Sequence, residues 1–75
     1  MTYTYKDLCI HANNSQKQYP QLRKGQCLMN FLHVYDPSFC KLITGTDADC
    51  FYFDEKIDQF KEAVEKHIEE MNNAK

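Results

Sequence analysis

The chain has 75 residues, 43% of them hydrophobic and 27% charged, with two Gly, two Pro and a formal net charge of −2. That is one small domain, too apolar and too evenly charged to be disordered and too poor in Gly and Pro to be fibrous. A domain of this size buries only about 60% of the surface its unfolded chain exposes, which leaves little material for a deep catalytic cavity.

Thr4 is suited to cap a first helix over residues 5–15, in which Tyr5, Leu8, Cys9 and Ala12 recur at helical spacing. Asn13-Asn14-Ser15 weakens that helix. Tyr19-Pro20 closes the segment, because the residue before a proline avoids the α region. A second helix is expected over 23–35, with Cys27, Leu28, Phe31, Leu32 and Tyr35 forming one apolar stripe. Gly25 in its first turn costs about 1 kcal/mol against Ala, a cost that the close approach of another backbone would explain. Asp36-Pro37 supplies a cap and a first helical residue for a short third helix over 37–44, and Gly45 stands where a left-handed terminator is wanted.

The segment Thr46–Phe53 is acidic and then strongly aromatic, and reads as an ordered loop. Asp54 or Asp58 is expected to cap a last helix over 55–71. There Ile57, Phe60, Val64, His67, Ile68 and Met71 recur every three or four residues. Lys61–Glu65 and Glu62–Lys66 are i,i+4 pairs on its polar side. The expected fold is a single all-α domain, a small bundle of about four helices with an acidic-aromatic loop before the last.

The charge is unevenly spread. Residues 1–30 carry Lys6, Lys17, Arg23 and Lys24 against Asp7 alone, whereas residues 54–75 carry seven carboxylates against four lysines. Either the two ends attract each other in the fold, or one of them is a charged docking face. A nucleic-acid binder shows a larger basic excess, and a protein imitating DNA a much denser acidic surface.

The four cysteines, Cys9, Cys27, Cys40 and Cys50, lie nine or more residues apart, whereas structural zinc sites use pairs two to four residues apart. No basic segment followed by an apolar core marks a secretory signal, and no apolar run approaches the ~18 residues of a bilayer span. A cytoplasmic location with free thiols, no metal, no cofactor and no membrane contact is the expectation. Counted from Asp47 as a calcium loop, the sixth place holds Tyr52 rather than Gly and the twelfth Asp58 rather than Glu, so that pattern fails. Cys–His catalysis needs a thiolate beside an imidazole, and Cys27 and His33 fall on different sides of one helix. Lys17, Arg23, Lys24 and Lys41 beside Tyr19 make a small basic patch of the kind that suits phosphate contact and base stacking.

The run Phe51-Tyr52-Phe53 carries more weight. Three consecutive aromatics cannot all point inward, and aromatics on an acidic rim, here Asp47, Asp49 and Asp54, are typical of protein-binding hot spots. Either one or more of them is displayed, or two enter the core while Tyr52 lies flat over a helix. The candidate partner-binding residues are Asp47, Asp49, Phe51, Tyr52 and Phe53, with Arg23 and Lys24.

The stretch Arg23-Lys24-Gly25-Gln26-Cys27-Leu28-Met29-Asn30-Phe31-Leu32, then Pro37, then Gly45-Thr46-Asp47-Ala48-Asp49-Cys50-Phe51-Tyr52-Phe53-Asp54 resembles a small bacterial and phage protein family. The pattern of that family is R-x-G-Q-x-L-x-N-x-L, a proline, then G-T-x-x-D-P-F-Y-x-D. Cys50 stands where the pattern has its second proline, and the resemblance covers roughly Arg23 to Ile57. It implies a phage or prophage setting and no particular reaction. Gln26 and Asn30, one helical turn apart, are expected to hydrogen-bond the Gly45–Asp49 loop and hold its shape.

Taken together, these readings favour a non-enzymatic cytoplasmic interaction protein, a phage accessory factor that binds and modulates or inhibits a host protein. The alternative is a nucleic-acid-binding accessory domain using Lys17, Arg23 and Lys24. Self-association, giving a homo-oligomer through the aromatic loop or the last helix, is compatible with either.

Overall fold

A computed structural model describes residues 3–73. Helix α1 spans Tyr5–Gln18, α2 Lys24–Tyr35, α3 Pro37–Ile43 and α4 Ile57–Asn73, with a 3-10 turn over Asp54–Lys56 leading into α4. No strand occurs among the described residues, so the fold is all-α, as the periodicity predicts. None of these helices is long and apolar enough to cross a membrane.

A capping box starts α1. Thr4 Oγ1 accepts from the Asp7 N–H at 3.1 Å, and the Asp7 carboxylate accepts from the Thr4 N–H at 2.9 Å. The helix runs three residues past the expected Ser15, because Leu8 and Ala12 are anchored in the core and the exposed asparagines gain nothing by leaving. Tyr19 N–H closes the last turn on the Ser15 carbonyl at 2.7 Å, and Pro20 stops it. The Asp36-Pro37 restart is as expected: Asp36 Oδ1 accepts from the Phe39 N–H at 3.3 Å. Gly45 ends that turn at φ +83 with no atom near its missing side chain, so backbone handedness, not space, requires glycine there.

The core is made by Tyr3 just ahead of α1, Leu8 and Ala12 of α1, Cys27, Leu28, Met29 and Leu32 of α2, Cys40 and Ile43 of α3, Phe60 and Val64 of α4, and Cys50 from the loop. Burying each of the larger side chains contributes about 1.5–3 kcal/mol. Phe31 and Tyr35 complete the predicted α2 stripe only as half-buried edge residues.

Two expectations for α4 are corrected. Neither Asp54 nor Asp58 caps it from outside: Asp58 lies in its first turn, and Asp54 turns away to the start of α2. The pairs Lys61–Glu65 and Glu62–Lys66 do not close. Among the described residues the only acid–base contact is His67–Asp36. Exposed i,i+4 pairs gain too little to hold two long side chains still, and Lys61 leans instead over the Tyr5 ring, 5.8 Å from its centroid.

Candidate functional site

The segment between α3 and α4 is an ordered loop whose own side chains satisfy its backbone. Asp49 Oδ2 accepts from the Gly45 N–H at 2.8 Å, and its Oδ1 accepts from the Phe51 N–H at 3.0 Å. Thr46 Oγ1 donates to the Ile43 carbonyl at 2.6 Å and accepts from the Ala48 N–H at 3.2 Å. Short polar side chains that bond their own neighbourhood in this way are what fix a turn.

Three further contacts tie the loop to the start of α2. Arg23 Nη2 donates to the Phe51 carbonyl at 2.7 Å, Asp54 Oδ1 accepts from the Gly25 N–H at 3.0 Å, and the Cys50 thiol donates to the Gly25 carbonyl at 3.4 Å. Arg23 at the N-cap of α2 makes no side-chain cap of its own. The cap arrives from 29 residues downstream, and Asp54 places a carboxylate where the helix dipole is positive. Gly25 is the point of closest approach: a Cβ there would run into the Cys50 carbonyl oxygen and lie 2.9 Å from Asp54 Oδ1. The cost of a glycine in a helix is thus matched by the backbone contact it permits. Gln26 and Asn30 do not hold the loop. Asp49, Thr46, Arg23 and Asp54 do that work, and Asn30 lines a hollow beside Phe51 and Tyr52.

This scaffold sets the three aromatics. Phe51 packs against the core, while Tyr52 is 70% exposed and Phe53 49% exposed. Two of the three are therefore displayed, and Tyr52 meets the edge of Phe51 at 4.8 Å and 68° rather than lying over a helix. The Arg23 guanidinium carbon is 6.0 Å from the centre of the Tyr52 ring, and Lys56 Nζ is 5.1 Å from that of Phe53. Asp47 stays exposed on the loop. The structure thus brings Arg23, Asp49, Phe51, Tyr52 and Phe53 together and adds Lys56 and Asp54. Lys24, half-buried in the first turn of α2, takes no part in the hydrogen bonds of the loop.

A second cluster escapes local sequence reasoning. Asp36 Oδ2 accepts from the Tyr3 hydroxyl at 2.9 Å and from His67 Nε2 at 2.9 Å, while its Oδ1 caps α3. The Phe39 ring stacks on His67 at 3.8 Å, nearly parallel, and next to it His11 Nε2 meets the Tyr35 hydroxyl at 2.7 Å. Burial and the neighbouring Asp36 carboxylate push the Tyr3 phenol above its ordinary range, so it stays a donor. These groups are committed to one another, and the cluster fastens the chain start and α4 to the α2–α3 corner.

Burial raises the thiols of Cys27, Cys40 and Cys50, with nearby carboxylates adding to it, and Cys50 is pushed up to about 12. They are protonated at neutral pH and lack the thiolate that a cysteine nucleophile needs. An unfolded thiol releases its proton near 9.0, so between pH 9 and 12 the unfolded chain holds fewer protons than the folded one. Folding stability should therefore fall as pH rises through that window and be insensitive to these groups below it. Urea midpoints at pH 7, 9 and 10.5 test this, with a shallower decline expected for Cys50→Ala.

No group of three or more His, Cys, Asp or Glu side chains among the described residues is arranged to hold a metal ion. Compared with known family models, curated proteins and solved structures, the chain shows no significant match.

Proposed function

We propose that this chain is a non-enzymatic interaction protein that binds another protein through Tyr52 and Phe53. The reading extends to a phage accessory factor acting in the cytoplasm, where it modulates or inhibits a host protein. One observation carries it. Two large aromatic side chains are held out to solvent on a loop that is fixed from both sides, by its own turns and by α2. Exposed aromatics on a rigid support supply contact area without a large ordering cost on binding, which is the usual make-up of a hot spot.

The test is affinity capture from a bacterial host lysate with the wild-type chain and with the Tyr52→Ala/Phe53→Ala variant. A protein retained by the first and lost by the second is expected. The variant should keep its thermal midpoint, since exposed substitutions change stability by no more than about 0.5 kcal/mol. No retained protein, or equal retention by both, would count against the reading.

The nucleic-acid alternative is favoured by the position of Arg23 beside the Tyr52 ring, an arrangement suited to stacking a base. It requires binding of a single-stranded oligonucleotide that weakens steeply as salt rises. Self-association through the same aromatics would appear in light scattering as a concentration-dependent mass.

A further inference from the structure

Resting on that docking face, we infer that its partner is a basic segment, a stretch of chain that lays a Lys or Arg side chain along Tyr52 and Phe53 and sets its charge on the carboxylates beside them. The loop and the 3-10 turn after it carry four carboxylates, Asp47, Asp49, Asp54 and Glu55, whereas the cations beside the rings are two, Arg23 and Lys56. Negative charge is in excess. Asp47, Asp54 and Glu55 are exposed, and among the described residues no basic side chain pairs with any of them. Asp49 adds its charge while it accepts from the Gly45 and Phe51 amides.

The rings themselves take cations. Arg23 lies at the Tyr52 ring and Lys56 at the Phe53 ring, where the π faces attract positive charge. Arg23 is also held by its bond to the Phe51 carbonyl, and Tyr52 still leaves most of its surface open to a partner. Lys and Arg match both features at once, because the methylene stem packs on an aromatic ring while the head reaches a carboxylate. Beside Tyr52, a shallow hollow walled by Met29, Asn30 and Phe51 gives an adjacent apolar side chain of the partner a place to sit. Lys41 lines the next hollow along, between α2 and α3, and directs the basic residues of the partner to the loop end instead. An acidic, aromatic face of this kind attracts a positively charged chain and repels a phosphate backbone. Nucleic acid and a second copy of the chain are therefore outcomes of the test.

The experiment is selection of a random twelve-residue peptide library on the wild-type chain, with parallel selection on Tyr52→Ala. Sequences enriched only on the wild type should be rich in Lys and Arg and contain an aromatic or Leu. A labelled peptide from that set should bind the Asp47→Asn/Glu55→Gln variant roughly three- to tenfold more weakly in fluorescence anisotropy, the range that two solvent-exposed charge pairs supply. Neither side chain is among those that hold the loop, so this variant should keep its thermal midpoint. Tyr52-dependent peptides that are neutral or acidic, or equal binding by the variant, would overturn the charge inference and leave the docking face standing. An absence of Tyr52-dependent peptides would overturn both. A labelled oligothymidine bound more tightly than any selected peptide would assign the face to nucleic acid instead. A mass in light scattering that rises with concentration, and stays monomeric in Tyr52→Ala, would assign it to a second copy of the chain.

Discussion

Gly25→Ala is expected to lower the stability of this domain by about 2–3 kcal/mol, against the rule that Ala improves a helix. Helix propensity alone would make the substitution stabilising by about 1 kcal/mol. The added methyl, however, meets the carbonyl oxygen of Cys50, a backbone atom, with Asp54 Oδ1 close by. The Cys50 backbone cannot swing aside as a flexible side-chain end would, since the Cys50 side chain is buried and both flanking turns are hydrogen-bonded. The loop has to lift, and with it go the Asp54 cap and the Arg23 contact to Phe51. In a domain of 60–100 residues each kcal/mol moves the thermal midpoint by roughly 4–8 °C, so a drop of about 10–20 °C is expected by calorimetry or circular dichroism. A variant as stable as the wild type would mean that the loop does not rest on α2.

Asp36→Ala is the second substitution with a large expected effect, also about 2–3 kcal/mol. It removes the α3 cap, worth about 1 kcal/mol, and leaves the Tyr3 hydroxyl and the His67 imidazole without their shared acceptor. Three comparisons divide the total. Asp36→Asn keeps an oxygen for the Phe39 amide and should cost clearly less. Tyr3→Phe deletes one bond only. His67→Phe deletes the other while preserving a ring to stack on Phe39, whose centroid lies 3.8 Å from that of His67. The two single deletions should each cost about 1 kcal/mol in urea denaturation. If Asp36→Ala costs no more than the loss of a helix cap, the cluster does not hold α4 in place.

These two residues also mark what the sequence can and cannot convey. Asp36 announces its cap through the proline that follows it, and Gly25 announces a close approach through its awkward place in a helix. Both are local signals with one physical meaning. The partners are not local. Tyr3 and His67 reach Asp36 across 33 and 31 residues, and Asp54 reaches Gly25 across 29, distances at which spacing says nothing. The four helices were legible because an apolar stripe reports the face that must be buried. The end of α1 was not, since packing of Leu8 and Ala12 outweighs the weak propensity of Asn13 and Asn14.

For the binding face, the aromatic run and Arg23 were visible as residue types, but the contacts that hold them were not. Spacing does not show that Asp49 bonds the Gly45 and Phe51 amides or that Asp54, itself exposed, gives one oxygen to the Gly25 amide. Lys56, ordinary in sequence, becomes a neighbour of Phe53 only through the 3-10 turn that precedes α4. The stretch that begins at Arg23 and the one that ends at Asp54 meet in space.

Because those stretches meet, residues 23–54 form a ring closed without a covalent link. Any residue inserted or deleted inside the ring must be absorbed before its ends rejoin, and α1 and α4 pack Leu8, Ala12, Phe60 and Val64 against it. A change of length inside the ring therefore strains its closure, and the span from Arg23 to Asp54 has to be kept whole together with the core faces of α1 and α4 when this domain is grafted, shortened or fused.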